Sequence, residues 1–149
     1  MRLTTFTDYT FRVLIYLGLH PDEQITVAEL AQRYDVSRNH LTKVIHFLGQ
    51  CGYIETLRGK GGGIRLAAKP SEINLGTLAR ETEKNSVLVE CFIPDDCHCK
   101  ITRACSLAGI LVEAQEAFYR VLDKYSVADI IKNPTTLNTL LSGNTGGGG

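Results

Sequence analysis

No stretch of this sequence is long and apolar enough to cross a bilayer. The apolar-rich run from Phe11 to Leu19 is far too short and is interrupted by Arg12. No basic start, apolar stretch and small-residue cleavage site precedes it, so the expectation is a cytoplasmic protein with no membrane partner. Internal repeats are absent. At 149 residues the chain is too short for a large multidomain enzyme. It is long enough for one compact domain, or for a small domain with an appended element.

Net charge is also lacking: 16 Lys and Arg balance 16 Asp and Glu. Taken as a total, this speaks against a nucleic-acid partner, but the total hides a local asymmetry. Residues 37–69 carry Arg38, Lys43, Arg58, Lys60, Arg65 and Lys69 against Glu55 alone, whereas the segments on either side are net negative.

The basic stretch lies in a recognisable succession of elements. "TDYTFRVLIYLGLH" places Tyr9, Val13, Tyr16 or Leu17 and His20 on one side of a helix, with Asp8 near its positive end. In "ITVAELAQRYDVS", Thr26 and Glu29 have capping-box spacing ahead of Val27, Leu30 and Ala31, which predicts a second helix to about Tyr34. After Asp35 and Val36, Ser37 is a good N-cap for a third helix. Its inward residues are Leu41, Val44, Ile45 and Leu48, and Gly52 ends it. Two helices joined by so tight a connection make a helix-turn-helix.

"YIETLRGKGGGIRLA" then alternates apolar and polar residues around Gly59, Gly61, Gly62 and Gly63, the pattern of a tight hairpin. A hairpin placed there is the wing of a winged helix. Lys60 in "GKGGG" does not make a phosphate-binding enzyme loop, because neither Ser nor Thr and no helix follow it.

The predicted fold is therefore mainly α with a small β-hairpin wing: a winged helix-turn-helix unit over residues 1–70. A connecting helix, "INLGTLARETE", and a cysteine loop occupy 71–100. From Ile101, an apolar residue recurs every three or four positions through Leu107, Leu111, Phe118 and Leu122 to Tyr125, about six turns of helix. That helix and the short "VADIIK" helix fill 101–134. Residues 135–149 read as a tail whose "SGNTGGGG" end is low in complexity and expected to be disordered.

Two sets of functional residues follow. Ser37, Arg38, Asn39, His40 and Lys43 lie at the start and on the exposed side of the third helix. In a helix-turn-helix these positions reach base edges in the major groove, where Arg suits guanine and Asn suits adenine. Arg58, Lys60 and Arg65 surround a wing tip with few side chains and suit phosphates or a minor groove. A charged helix face and a Gly-rich turn are each commonplace alone. Their adjacency, and the confinement of positive charge to them, point to double-stranded DNA.

The second set is "CFIPDDCHCKITRAC", which holds Cys91, Cys97, Cys99 and Cys105, four of the chain's five cysteines. In a reducing compartment such a cluster suits a soft metal better than a disulfide framework, and an odd total pairs poorly. Zinc, with His98 as a further donor, and an iron-sulfur cluster both fit the chemistry. The short Cys-x-x-Cys knuckles usual in structural zinc sites are missing. Cys51 stands apart and is expected to pack as a small core residue.

"MRLTTFTDYTFRVLIYL", "VSRNHLTKVIHFLGQCGYIETLRGKGGGIRLA" and "CKITRAC" resemble the cluster-binding winged-helix repressor family that includes NsrR, IscR and RirA. The likeness covers residues 1 to 141 and is nearest to the family's nitric-oxide-sensing branch. The resemblance implies a homodimeric repressor of a palindromic DNA operator, not an enzyme, with a 4Fe-4S cluster favoured over 2Fe-2S and nitric oxide as its signal. It implies Cys91, Cys99 and Cys105 as ligands, with Cys97 as the alternative central ligand, and Asp8 of the partner subunit completing the set. Without the resemblance, Asp8 is simply a charge at a helix start. The spacing departs from the commoner pattern of five residues between neighbouring cysteines, whichever central cysteine is chosen. Independently of the resemblance, a long amphipathic helix with nothing else to cover predicts a dimer interface that buries Leu107, Leu111, Phe118 and Leu122. An iron- or cluster-supply sensor of the same family and a zinc-stabilised DNA-binding protein are the alternatives.

Overall fold

The computed structural model describes residues 1–93 and 95–143. The expectation of a disordered glycine tail falls on 144–149, outside the described residues. Helix α1 (Thr5–Leu19) starts at Thr4, whose hydroxyl accepts from the Thr7 N–H. One face of α1, with Val13, Leu14 and Leu17, is fully buried and packs towards the helices over Arg38–Gln50, Leu75–Glu83 and Val127–Ile130 and towards the wing. Each such side chain removed from water contributes roughly 1.5–3 kcal/mol.

Helix α2 (Val27–Tyr34) is capped by Thr26, whose side chain accepts from the Glu29 N–H. The reciprocal half of the expected capping box is missing, because the Glu29 carboxylate accepts from the Tyr16 hydroxyl of α1 instead. Asp35 adopts a left-handed conformation and turns the chain sharply into α3 (Arg38–Gln50), which buries Leu41, Val44 and Leu48.

Gly52 leads out of α3 into the antiparallel pair β1 (Ile54–Leu57) and β2 (Gly63–Leu66), in the register Ile54↔Leu66 to Leu57↔Gly63. Gly59 and Gly61, at φ 97° and 77°, carry the turn in a region other residues rarely adopt. On its other edge β2 bridges to Ile25, tying the wing to the segment before α2.

Helix α4 (Leu75–Glu83) is capped by Asn74 and lies against α5 (Ser106–Leu122). Gly76 permits the close approach: a Cβ there would stand 2.7 Å from the Asp123 backbone nitrogen. Arg80 clamps the contact with a bidentate pair to Asp123, at 2.5 and 2.9 Å, and lies 4.9 Å over the Tyr119 ring. Beyond α5 the chain returns to pair Ser126 with Asn74, then forms α6 (Val127–Ile130) and α7 (Pro134–Ser142).

Three expectations need correction. Helix α5 starts at Ser106, not Ile101. A 3-10 turn over Thr102–Ala104 and an extended Cys105 interrupt the run, although its apolar spacing suits a helix. The segment read as tail opens as α7, started by Pro134 with its preset φ, and Leu141 packs against the core. Cys51 is exposed, not buried: it caps α3 just before the Gly52 turn, past the last inward residue Leu48.

Candidate nucleic-acid interface and metal centre

The first turn of α3 is laid out on the surface. Arg38, Asn39, His40 and Lys43 are all exposed, while Leu41 and Val44 on the opposite side anchor the helix in the core. Ser37 occupies the N-cap position, but its hydroxyl makes no cap hydrogen bond. His40 lies against Tyr9 of α1, with ring centroids 6.1 Å apart. Below His40 and Lys43, an apolar cleft opens between α1 and α3, walled by Phe6, Tyr9 and Val44.

The wing cations divide. Arg58 and Lys60 are exposed at the tip, whereas Arg65 pairs with Glu55 across the strands at 2.5 Å. The charge of Arg65 is thus largely answered within the hairpin, and the open positive charge belongs to the tip.

The cysteine loop is built on short turns. Cys91 lies in a 3-10 turn over Glu90–Phe92, and the Glu90 carboxylate accepts from the His98 N–H at 2.8 Å, folding the loop back. Thr102 gathers the centre: its hydroxyl donates to the Cys99 carbonyl at 2.9 Å and lies 3.2 Å from the Cys97 sulfur. Cys105 caps α5. All four thiols are free, with Cys99 exposed and the other three partly exposed. Burial pushes the Cys91 thiol up, and so do the neighbouring Cys97, Cys99 and Cys105, which places the four in one electrostatic neighbourhood. Among the described residues no three His, Cys, Asp or Glu side chains already stand as a metal-holding group. The loop supplies four soft donors, but its thiols are not gathered into one coordination sphere.

Asp8 lies in the first turn of α1 and pairs with Arg12 at 2.8 Å. Arg12 in turn lies near the Tyr9 and Tyr34 rings, at 5.7 and 5.8 Å. On α5, Leu107 is exposed and Leu111 and Phe118 are partly exposed, but Leu122 packs against its own chain's core. Ile110 and Val121 extend the open apolar face and were not singled out from periodicity, although their spacing from Leu107 is helical.

A further cluster had no motif to announce it. Glu83, at the end of α4 and 6% exposed, accepts from the Thr4 N–H at 2.7 Å, from the Thr4 hydroxyl at 2.8 Å and from the Thr7 hydroxyl.

With this geometry in place, comparison with known proteins is specific. The Rrf2 family, described as "Iron-dependent Transcriptional regulator", matches residues 3–133. The chain belongs to the Rrf2 family. Rrf2-family relatives include the HTH-type transcriptional regulator NsrR of Geobacillus kaustophilus, 46% identical over 95% of this chain and 97% of that protein. The regulator of the same name from Shouchella clausii is 47% identical over 95% of each chain. Among solved structures, T. potens IscR superposes with a TM-score of 0.69 at 22% identity, covering 89% of this chain and 88% of that one, a likeness of fold. This Rrf2 protein is a DNA-binding transcriptional regulator with a winged-helix fold, and not an enzyme. Among its described residues no helix is long and apolar enough to cross a membrane.

Proposed function

We propose that this regulator is a homodimeric repressor whose grip on a palindromic operator is set by an iron-sulfur cluster that responds to nitric oxide. The observation that carries the reading is the four-thiol loop at the foot of α5 in a chain that matches NsrR regulators over 95% of its length.

Arg38 and Asn39 reach base edges, Lys43 and His40 support them from the same face, and Arg58 and Lys60 hold phosphates or enter the minor groove. Ser37 and Arg65 flank these contacts. Two copies joined along α5 through Leu107, Ile110, Leu111 and Phe118 set their α3 helices on half-sites about one helical turn apart.

Cys91, Cys99 and Cys105 would hold the cluster, with Cys97 as the alternative to Cys99 and Asp8 of the partner subunit as the fourth donor. A 4Fe-4S cluster held there would supply iron open to nitric oxide. The chain's own part is to present thiolates and to convert order in residues 84–105 into the placement of α1 and α3.

A second reading, a sensor of iron or cluster supply, is favoured by the family's description as iron-dependent. One experiment separates them: anaerobic absorption with iron and sulfide analysis, then titration with nitric oxide and, separately, with an iron chelator. Binding to a duplex selected by the protein from a random pool is followed throughout. Bleaching and DNA release in step with nitric oxide carry the first reading. Release on chelation with indifference to nitric oxide carries the second, and a colourless zinc protein ends both.

A further inference from the structure

Glu83 occupies a place that neither DNA contact nor metal ligation explains. It is the last residue of α4, and the cysteine loop begins at the next residue. Its carboxylate is almost fully buried, yet among the described residues no cation bonds it. It is answered by the N-cap of another helix: the backbone N–H and hydroxyl of Thr4 and the hydroxyl of Thr7. The Thr82 hydroxyl lies 2.9 Å from that of Thr7. Thr4 itself caps α1 through the Thr7 N–H, so the first turn of α1 is organised around a carboxylate supplied by α4.

The two sides of this junction lead to the two functional sets. On the α4 side, the Ser86 N–H donates to the Glu83 carbonyl at 2.7 Å, so the start of the cysteine loop folds back on the same residue. On the α1 side, Phe6 packs edge-on against Phe47 of α3 at 5.4 Å, and Tyr9 lies against His40. A displaced first turn of α1 therefore moves the rings against which α3 rests. A buried carboxylate with several convergent donors and little freedom to reorient suits a link that must transmit position.

We infer that Glu83 is a positioning residue that couples the cysteine loop to the recognition helix by holding the N-cap of α1. The inference rests on the DNA-binding reading and on the loop as sensor. Loop order holds Glu83 in register with Thr4 and Thr7, which seats α1 against Phe47 and His40 and so fixes the pose of α3. Loss of loop order releases the carboxylate and lets the first turn of α1 fray.

The test compares wild type, Glu83→Gln, Thr7→Val and Thr7→Ser as full-length protein. The readouts are amide hydrogen exchange at residues 4–8 and affinity for a duplex selected by the wild-type chain from a random pool, each with and without reconstituted cluster. In Glu83→Gln and Thr7→Val, exchange at residues 4–8 is expected to rise about tenfold while α2 and α6 stay protected, with DNA affinity falling by a similar factor. Thr7→Ser, which keeps the hydroxyl, is expected to restore both. Iron and sulfide should still be taken up in every variant, because Cys91, Cys99 and Cys105 are untouched. Wild-type exchange and affinity in Glu83→Gln overturn the inference, and so does a uniform loss of protection across the chain, which marks a purely structural role. If the wild-type chain takes up no cluster, the sensing reading fails by itself. The link from α4 to α1 and DNA is then still decided by exchange and affinity in the cluster-free protein.

Discussion

The hydroxyl of Tyr16 donates to the carboxylate of Glu29 at 2.7 Å, joining the last turn of α1 to the first turn of α2. Burial first, then this hydrogen bond and the charge of Glu29, push the Tyr16 phenol up to about 12. The neutral phenol is the form that the fold stabilises. Its contribution is therefore complete below the unfolded value near 10 and is lost as pH rises towards 12. Tyr16→Phe is expected to cost about 1 kcal/mol at neutral pH. Chemical denaturation between pH 9 and 12 should also show a shallower alkaline decline than wild type. Tyr34, likewise pushed to about 12 by burial, contributes to the same limb, as do Tyr53 and Tyr119, both pushed up by burial.

Glu83 predicts the acid limb. Burial pushes its carboxyl up, but the hydrogen bonds from Thr7, Thr4 and Ser86 together outweigh that and hold it below the ordinary range. The stabilisation is present above the unfolded value and is lost as pH falls through the lowered folded value. Urea titrations from pH 6 to 3 should show part of the acid loss missing in Glu83→Gln, which lacks the contribution throughout.

Exposure divides the arginines. Arg38→Ala, on the open first turn of α3, is expected to weaken binding to the selected duplex by about 1–3 kcal/mol and binding to random DNA far less. Arg65→Ala removes a cation already paired with Glu55 and should change both by less than about 1 kcal/mol. Equal losses on both DNAs for Arg38→Ala would assign it to phosphate.

The α5 face separates association from folding. Ile110→Glu places a charge on a side chain 59% exposed in one copy, so sedimentation should show a monomer with unchanged helix content. Leu122→Ala removes a partly buried side chain packed against the protein's own core and should lower stability by about 1–2 kcal/mol without a selective loss of dimer.

The thiols are distinguishable by deletion. Cys105→Ala should abolish iron and sulfide uptake while the winged helix keeps its circular dichroism. Of Cys97→Ala and Cys99→Ala, only the second should do the same. Full iron in Cys99→Ala with none in Cys97→Ala would reverse the assignment.

The winged helix was legible because its signals are local: Thr26 as a cap, Gly59 and Gly61 in a turn, Leu41, Val44 and Leu48 on one face of α3. Such features depend on neighbours within a few residues, and sequence spacing records them directly. The cysteine loop was legible as composition. Its turn at Thr102–Ala104 was not, because apolar spacing continues through a segment whose backbone Cys105 extends. What only the tertiary fold decided is which partner each polar group takes. Glu29 turns from its own helix cap to Tyr16, Arg65 is taken up by Glu55, Leu122 faces its own core, and Glu83 finds Thr4 and Thr7 nearly eighty positions away. A buried polar group must be satisfied by whatever donor packing brings within about 3 Å. That proximity is a property of the assembled helices and has no period along the chain.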